Sequence, residues 1–233
     1  AMTQGYIGYQ IQQSLNEVIR QKNRNIPVVT LVTQVVVDAN DAAFNNPTKP
    51  IGPFYTEEEA VKIRKEKGFT VKEDAGRGWR RMIASPEPKR IVEIDSIKQL
   101  WGSNIVILAG GGGIPVVENP DGSLSGIAAV IDKDLSAGCF AEAIEADVFL
   151  ILTGVERVCL NYGKENQKEL GKITVAEAKE YIEQGHFPPG SMLPKIMAGI
   201  NFASKFPGKK AIITSLYRAI DSLEGKTGTE ITL

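Results

Sequence analysis

Histidine and cysteine are scarce in this sequence, and their scarcity argues against several kinds of site. His186 is the single histidine among 233 residues, which argues against a multi-histidine metal site and against a Ser-His-Asp triad. The two cysteines, Cys139 and Cys159, lie far apart and have no partners at the spacing of metal ligands. We therefore predict two buried free thiols in a protein from a reducing compartment.

The sequence also has no marked excess of positive or of negative charge. The 27 Lys and Arg residues are matched by 28 Asp and Glu residues, which gives a net charge of −1. Neither nucleic acid nor a membrane surface is therefore predicted as a partner. No apolar stretch approaches the ~20 residues of a transmembrane helix, and we expect no secretory signal. The hydrophobic share of 42% suffices for a full core in one sizeable domain, with or without a small insert.

The first residues lack both an initiator methionine and a leading strand. Ala1-Met-Thr-Gln-Gly5 passes straight into a helical pattern in which Ile7, Ile11 and Leu15 share one apolar face. From this start we expect the chain to be cut from a longer protein.

Three apolar runs end in glycine or polar residues, as strands do when they lead into binding loops. The runs are 105–108, 127–131 and 148–152, and they precede Gly110-Gly-Gly-Gly113, Lys133 and Thr153, respectively. They predict one edge of an open parallel sheet, where ligands lie beyond the carboxyl ends of the strands. The glycines would let the backbone approach a ligand closely.

Strand and helix patterns alternate along the rest of the chain, which predicts an α/β fold with a mostly parallel sheet. Capping boxes that start at Thr56 and Thr174 mark the beginnings of two helices, and Ser191 is predicted to cap a third. The Val- and Thr-rich run 26–37 predicts a strand, and Asn119-Pro-Asp-Gly122 predicts a hairpin turn.

A composition change after the first strand predicts an inserted lobe. The segment 43–88 contains a cluster of turn residues and closes with two prolines, so its backbone is rigid and irregular in places. We predict that it packs as a protruding lobe, while residues 1–42 and 89–233 form the main α/β domain.

Two nucleotide-binding motifs are nearly present but incomplete. Gly225-Lys-Thr227 resembles the end of a P-loop, but Ile220 occupies a position that requires glycine. The four glycines from Gly110 do not form G-x-G-x-x-G, because Pro115 takes the last position. A P-loop nucleotidase and a Rossmann oxidoreductase therefore both lose support.

Three lysines stand out by their context, and each has an ordinary alternative. Lys49 lies in a loop bracketed by prolines, which restrict its backbone, yet it could be a solvated loop charge. Lys133 lies between two aspartates and is either a point charge for an anion or an ion-paired surface residue. Lys195 lies in the first turn of a helix, where the dipole disfavours a cation unless an anion is bound there too.

Asp134 is the carboxylate with the strongest functional context. It could hold lysines in position or coordinate a metal through bridging groups, and it could also simply cap the helix predicted from residue 135. His186, which precedes Phe187 and Pro188, is predicted to be structural rather than catalytic.

Taken together, these stretches resemble the carbamate kinases of the amino-acid-kinase superfamily. The residues that carry the resemblance are Ala1-Met-Thr-Gln-Gly5, Thr33-Gln-Val-Val-Val-Asp38, Asn46-Pro-Thr-Lys-Pro-Ile-Gly52, Glu73-Asp-Ala-Gly-Arg-Gly-Trp79, Gly110-Gly-Gly-Gly-Ile-Pro-Val116, Ala129-Val-Ile-Asp-Lys-Asp134, Ile151-Leu-Thr-Gly-Val155 and Pro189-Gly-Ser-Met-Leu-Pro-Lys195. The lobe motifs between 46 and 79 discriminate best, because other members of the superfamily do not share them.

The resemblance implies phosphoryl transfer between ATP and carbamate, which gives ADP and carbamoyl phosphate. In microbes the reverse direction makes ATP during arginine fermentation. The resemblance also implies an open three-layer α/β/α sandwich with a mostly parallel central sheet and a small protruding subdomain. A requirement for Mg²⁺, a homodimer and a cytoplasmic location are implied in the same way.

Residue roles follow from the same resemblance. Lys133 and Lys195 would neutralise the transferring phosphoryl group, and Asp134 would hold both lysines in position. Lys49 would reach the carbamoyl end of the substrate. The positions expected to contact phosphate or substrate are Gly110, Gly111 and Gly112, and those expected to contact the nucleotide are Thr153, Gly154, Val155, Tyr162 and Met192. Phosphoryl transfer depends on such charge neutralisation and alignment more than on a covalent nucleophile.

Two N-terminal phosphate loops of the family, Gly-Gly-Asn and His-Gly-Asn-Gly, are missing from this sequence. We expect them upstream of Ala1, and we expect residues 1–233 expressed alone to fold poorly and to lack kinase activity, because a central strand would be absent. Two alternatives stay open. One is a kinase for another small acid, such as acetylglutamate or a uridylate, and the other is a non-catalytic nucleotide-binding remnant.

Overall fold

The chain folds into two compact units. The computed structural model describes residues 1–74 and 76–233, so Ala75 of the motif 73–79 lies outside the described residues. The first unit comprises Ala1–Arg24, Val29–Val92 and Ile107–Asp132, and the second comprises Asn25–Val28, Glu93–Val106 and Lys133–Leu233. The division into a lobe at 43–88 and a main domain stays a prediction.

Helices and strands alternate along the chain, which confirms the predicted α/β class. The helices are α1 (Met2–Gln21), α2 (Glu57–Lys67), α3 (Ile94–Leu100), α4 (Lys133–Ala143), α5 (Val175–Glu183), α6 (Met192–Lys205) and α7 (Ala219–Leu223). The strands are β1 (Val28–Thr30), β2 (Gln34–Val37), β3 (Lys49–Tyr55), β4 (Val71–Glu73), β5 (Trp79–Ile83), β6 (Pro88–Ile91), β7 (Ile105–Ile107), β8 (Ile114–Glu118), β9 (Leu124–Gly126), β10 (Val148–Thr153), β11 (Cys159–Leu160), β12 (Lys168–Glu169), β13 (Lys172–Thr174), β14 (Lys210–Ser215) and β15 (Thr229–Thr232). Short 3-10 helices cover Ala42–Phe44 and Leu216–Arg218.

The first unit contains a mixed sheet and an antiparallel sheet. In the mixed sheet the strand order is β6-β2-β8-β9, with β2 and β8 parallel and the outer pairs antiparallel. The antiparallel sheet has the order β3-β5-β4. The turn predicted at Asn119-Pro-Asp-Gly122 joins β8 to β9, and the N–H of Gly122 donates to the carbonyl of Asn119 at 2.9 Å. The hairpin prediction is therefore confirmed.

The second unit is built on the four-stranded sheet β10-β14-β15-β13. Strands β10 and β14 are parallel over six residue pairs, whereas β14 and β15 are antiparallel. Helix α6 lies close against this sheet at Gly199, where an added Cβ would come within 2.9 Å of Ile231 Cδ1. Phe149, Phe202 and Ile213 are buried in the core between the sheet and its helices.

Both predicted capping boxes are present. The Thr56 hydroxyl accepts from the N–H of Glu59 at 3.2 Å, and the Glu59 carboxylate accepts from the N–H of Thr56 at 2.8 Å. Thr174 and Glu177 form the same arrangement, with distances of 3.2 Å and 2.7 Å. Each box satisfies backbone donors that a helix start otherwise leaves unpaired.

Two strand predictions were wrong in part. The run 26–37 is broken into β1 and β2 at residues 31–33, where the N–H of Thr33 donates to Gln4 Oε1 at 2.8 Å and not to a neighbouring strand. The run 127–131 forms no named strand in the described chain. It contributes one isolated bridge between Ala84 and Ala129, so it does not extend a sheet edge as expected.

Candidate functional site

Helices α4 and α6 of the second unit begin with the residues that the sequence singled out. The two helices pack closely at Gly138, where an added Cβ would lie 3.4 Å from the Cβ of Ala198. Lys133 and Asp134 are the first two residues of α4, and Lys195 is the fourth residue of α6. The small residues at the crossing therefore allow the two helix beginnings to lie side by side.

One carboxylate oxygen joins the charged groups at these helix beginnings. Asp134 Oδ2 lies 2.6 Å from Lys195 Nζ and 3.2 Å from Lys133 Nζ. The side chains of Asp134 and Lys195 are both 9% exposed, whereas that of Lys133 is 60% exposed. Asp134 is the second residue of α4 and not the residue before the helix.

This triad of Lys133, Asp134 and Lys195, called the two-lysine cluster below, has a surplus of one positive charge. Both lysines lie in first helical turns, where the backbone dipole disfavours cations and favours anions. A bound anion would therefore relieve the unfavourable placement of both ammonium groups. The arrangement can neutralise a negatively charged group.

A cavity of about 260 Å³ lies in the same unit, at the end of β10. Its wall contains all five positions predicted for the nucleotide together with four others: Thr153, Gly154, Val155, Cys159, Tyr162, Phe187, Pro188, Ser191 and Met192. An apolar wall with a few polar groups is typical of a small-molecule site. Met192 and Lys195 are three residues apart on α6, so one helical turn separates the cavity from the two-lysine cluster.

Sequence reasoning missed four of the lining residues. Phe187 and Pro188 were recognised only as neighbours of His186, whose Nε2 lies 3.1 Å from Gln184 Oε1 and whose ring stacks edge-on against Tyr181. Ser191 was predicted only as a helix cap. It is the N-cap of α6, but its side chain makes no capping hydrogen bond in the described chain.

The two cysteines differ in burial. Both are free, and Cys159 is buried whereas Cys139 is only half-buried, so the prediction of two buried thiols was wrong for Cys139. Burial raises the pKa of the Cys139 thiol to about 11 and also raises the pKa of the Cys159 thiol. Because the thiolate is the reactive form, Cys139 is a poor nucleophile at neutral pH.

In the first unit, Lys49 pairs with an aspartate that the sequence did not single out as a partner. Lys49 opens β3, opposite Ile83 of β5, and its Nζ lies 2.6 Å from Asp132 Oδ2. The Asp132 side chain is 8% exposed and that of Lys49 is 32% exposed. Lys49 therefore lies in a strand and not in the predicted loop, and it is not a freely solvated charge.

The glycine loop of the first unit is held by a buried polar network. The Gln4 side chain donates to the carbonyl of Thr33 at 3.1 Å and accepts from its N–H at 2.8 Å. The Thr33 hydroxyl accepts from the N–H of Ala109, which begins the loop, at 2.9 Å. Gln4 and Thr33 were not predicted as site residues, although both belong to motifs that carry the family resemblance.

The predicted phosphate-contacting glycines use part of their hydrogen-bonding capacity inside the loop. The N–H of Gly110 donates to Leu108 at 2.7 Å, and the N–H of Gly112 donates to Ala109 at 3.0 Å. An added Cβ at Gly110 would lie 3.0 Å from Gln4 Cγ, whereas at Gly111 it would meet no described atom within 4 Å. Their role in binding phosphate stays a prediction.

Comparison with known proteins decides the family. Residues 9–215 match the amino acid kinase family. A carbamate kinase of Thermococcus kodakarensis is 53% identical over 232 residues, which are 99% of this chain and 73% of that protein. This chain belongs to the carbamate kinases within the amino acid kinase family. The recognition made from sequence motifs is thereby confirmed, and so is the assignment as a kinase.

Solved carbamate kinase structures share the fold as well. The carbamate kinase of Giardia lamblia bound to AMP-PNP superposes with a TM-score of 0.90 and 44% identity, over 100% of this chain and 73% of that one. A carbamate kinase-like protein of Escherichia coli, YqeA, is 52% identical over 99% of this chain and 74% of its own length. The chain thus spans about three quarters of the length of these relatives.

Proposed function

We propose that the protein transfers a phosphoryl group between ATP and carbamate, and that it works mainly to make ATP from carbamoyl phosphate in arginine catabolism. The observation that carries the proposal is the pair of lysines that share Asp134 Oδ2 at 2.6 Å and 3.2 Å. Carbamate kinase relatives at about half identity over the whole chain support the substrate assignment.

The reaction suits a site made of fixed charges. In the direction of ATP synthesis, a terminal oxygen of the ADP β-phosphate attacks the phosphorus of carbamoyl phosphate. The bond from phosphorus to the carbamoyl oxygen breaks, and its electron pair leaves with carbamate. Total charge is the same on both sides, so no proton transfer is needed. Positioned cations that neutralise the transferring group then supply most of the rate enhancement.

The two-lysine cluster is proposed to neutralise the phosphoryl group in transfer. Lys195 is buried and bonded to Asp134, so its ammonium needs little reorganisation during the reaction. Lys133 is largely exposed and can turn toward an incoming phosphate while Asp134 limits its range. Asp134 is thus a positioning residue for both ammonium groups.

The nucleotide is proposed to lie in the cavity at the end of β10. Thr153, Gly154 and Val155 line this cavity, and Tyr162 and Met192 supply larger side chains to its wall. The apolar surfaces suit a purine ring, and the short distance along α6 to Lys195 suits attached phosphates. Lys49 is proposed to bind the carbamoyl end, and Gly110, Gly111 and Gly112 to contact phosphate.

Magnesium is proposed only as a companion of the nucleotide phosphates. Within residues 1–74 and 76–233, no three His, Cys, Asp or Glu side chains are grouped as metal ligands. Mg²⁺ in kinases is usually held by substrate phosphates, water and one or two carboxylates, so this finding is compatible with a nucleotide-borne ion. When bound, the ion would neutralise phosphate charge, and we assign no residue to it.

A homodimer in the cytoplasm is also proposed, on the family resemblance. No helix in the described part of the chain is long and apolar enough to cross a membrane.

The test is a coupled assay of ATP formation from carbamoyl phosphate and ADP, run beside the reverse reaction with carbamate. We expect the full-length protein to turn over these substrates and to show no turnover above background when acetylglutamate or a uridylate is the acceptor. Residues 1–233 alone are expected to lack this activity. Turnover with one of those acceptors, and not with carbamate, would identify a different small-acid kinase. Nucleotide binding without any turnover would instead favour a non-catalytic role.

A further inference from the structure

The Lys49 side chain is held at both of its ends. Its backbone belongs to the β3–β5 ladder, where Lys49 is opposite Ile83, and Pro50 follows it directly. Its ammonium lies 2.6 Å from Asp132 Oδ2, 83 residues further along the chain. A lysine normally has many accessible rotamers, so fixing both ends restricts where its charge can be.

Asp132 occupies a buried position, where an aspartate without partners would destabilise the folded protein. It is 6% exposed as a residue and directly follows Ile131, which is 1% exposed. Burying a carboxylate is unfavourable unless it is paired and hydrogen-bonded, and Lys49 is one of its partners. An ordinary surface pair in the same unit, Arg90 with Glu118, has both side chains about half exposed and needs no such compensation.

The ammonium of Lys49 keeps the capacity to bind an anion. It has three N–H donors, of which one is directed to Asp132, and about a third of the side chain is open to solvent. The pair is therefore more open than Lys195 and Asp134, whose side chains are both 9% exposed. A small anionic substrate could contact Lys49 without breaking its bond to Asp132.

We propose that Asp132 is a positioning residue, which holds the Lys49 ammonium in the place where it binds the carbamoyl group of the substrate. The proposal rests on the proposed function. It adds a role for a residue that lies next to the two-lysine cluster in sequence but acts through a different lysine. Asp132 itself need not touch the substrate.

The main test is a double-mutant cycle with Asp132→Asn, Lys49→Met and the combined variant. Asp132→Asn is expected to lower kcat/KM for carbamoyl phosphate by roughly 10- to 100-fold, because misplacing a positioned group by about 1 Å can cost up to 10²-fold. KM for ADP should stay within about twofold of the wild type. In the Lys49→Met background, Asp132→Asn should change activity by no more than about twofold.

The cycle separates positioning from a general structural role. Equal losses from Asp132→Asn with and without Lys49 would overturn the proposal, because the aspartate would then act independently of the lysine. Wild-type or increased activity of Asp132→Asn would overturn it too. Asp132→Glu should recover part of the activity, since it restores a carboxylate that can reach the ammonium.

Glu230→Gln is the matched control. Glu230 is also a partly buried carboxylate, with Lys210 Nζ at 2.9 Å and Lys172 Nζ at 3.0 Å, and it has no proposed part in the reaction. Its neutral variant should keep wild-type kinetics. If the wild type and this control make no ATP from carbamoyl phosphate, the proposed function itself fails. If both are active and Asp132→Asn equals them, only the present inference fails.

A labelling experiment tests the contact without an activity assay. Limited acetylation followed by mass spectrometry should modify Lys49 more slowly than Lys89, whose side chain is 53% exposed. Asp132→Asn should accelerate the acetylation of Lys49 and leave that of Lys89 unchanged. Equal rates at the two lysines in the wild type would show that the ion pair is not maintained, even if the variant does not fold.

Discussion

Two lysine–aspartate pairs in this molecule have the same length and very different surroundings. In the second unit Lys195 and Asp134 lie 2.6 Å apart with 9% of each side chain exposed, on helices that line the main core. In the first unit Lys49 and Asp132 also lie 2.6 Å apart, but Lys49 is 32% exposed and belongs to a strand whose residues are half-buried or exposed.

The difference between the pairs indicates different tasks. A buried pair on packed helices keeps its charges in one place, and the low local dielectric strengthens its interaction with a nearby anion. A partly exposed pair on a small sheet is screened more by solvent and can admit a substrate from outside. The buried pair therefore suits a role as fixed charge, and the partly exposed pair suits a role as an accessible cation.

The largest expected effect comes from breaking the buried pair. Lys195→Met should lower kcat by about 10²–10³-fold, the usual loss when one preorganised donor to a developing charge is removed. Asp134 keeps Lys133 as a partner, so the fold should survive. Steady-state assays of ATP formation, with a thermal melt of each variant, measure both consequences.

Lys205→Met is the control for this substitution. Lys205 lies on the same helix but is 62% exposed and pairs with Glu142. It should keep wild-type kcat. If Lys195→Met keeps a near wild-type kcat, the buried pair does not supply fixed charge for the reaction. The proposed difference in task between this pair and the Lys49 pair would then be wrong.

The second largest effect on kcat is expected from Lys133, the exposed lysine of the two-lysine cluster. Lys133→Ala should lower kcat by roughly tenfold to 10²-fold, because Lys195 and Asp134 remain in place. The Kd for ADP should change much less, since the nucleotide cavity does not include Lys133. Lys205→Ala matches Lys133 in exposure and should be neutral. Wild-type turnover of Lys133→Ala would leave Lys133 as an ordinary ion-paired surface residue.

Local signals in the sequence predicted the helices better than the strands. The capping boxes at Thr56 and Thr174 were confirmed because all the required groups lie within four consecutive residues. The run 26–37 looked like one strand because valine and threonine favour strands, but it is interrupted at residues 31–33, where the N–H of Thr33 donates to the Gln4 side chain. Strand pairing depends on distant partners, and periodicity does not identify them.

The candidate site shows the same limit. Local context was sufficient to single out both lysines of the cluster. Lys195 was noticed because the helix dipole disfavours a cation in a first turn, and Lys133 because it lies between two aspartates after an apolar run. The partner of Lys49 could not be predicted from sequence. Asp132 lies 83 residues away, and the residues around it contain no motif that indicates a contact with Lys49. Cavity residues such as Phe187 also have ordinary core character in the sequence, and only the fold places them in the wall.

A third prediction concerns the first unit and the loop that follows β7. Gly113 has φ +91°, and an added Cβ would lie 2.4 Å from Val35 Cγ2. Gly113→Ala should therefore destabilise the protein by roughly 1–3 kcal/mol, from backbone strain and overpacking. A thermal melt should show Tm lowered by about 2–4 °C for each kcal/mol in a protein of this size.

Two variants make this prediction specific. Gly111→Ala changes a neighbouring glycine where an added Cβ meets no described atom within 4 Å, and it should be much less destabilising. Val35→Ala should cost less in the Gly113→Ala background than alone, since it removes the overlapping methyl group. Equal Tm values for the two glycine variants would mean that the loop is not held against β2 as tightly as described.

The smallest effects compare one capping box in each unit. Thr174 begins α5, whose Val175 and Ala178 are buried in the main core, whereas α2 behind Thr56 buries only Ala60 among its residues. Thr174→Ala should cost about 1 kcal/mol and Thr56→Ala about 0.5 kcal/mol, within the usual range for lost N-caps. Serine at either position keeps the hydroxyl and should restore most of the Tm.

The box at Thr174 should also respond to pH. Hydrogen bonds from the backbone N–H and hydroxyl of Thr174 lower the pKa of Glu177 from its ordinary value of 4.5. A carboxyl group with a lowered folded pKa stabilises the protein above its ordinary pKa, and this contribution is lost as pH falls through the lowered value. Thr174→Ala removes the hydroxyl bond to Glu177 and keeps the backbone one. The difference in Tm between wild type and Thr174→Ala should therefore be full at neutral pH and should narrow in part as pH falls below the ordinary pKa of 4.5. Melts across this range test the sign, and a difference that widens in acid would mean that the Thr174–Glu177 bonds do not stabilise the start of α5.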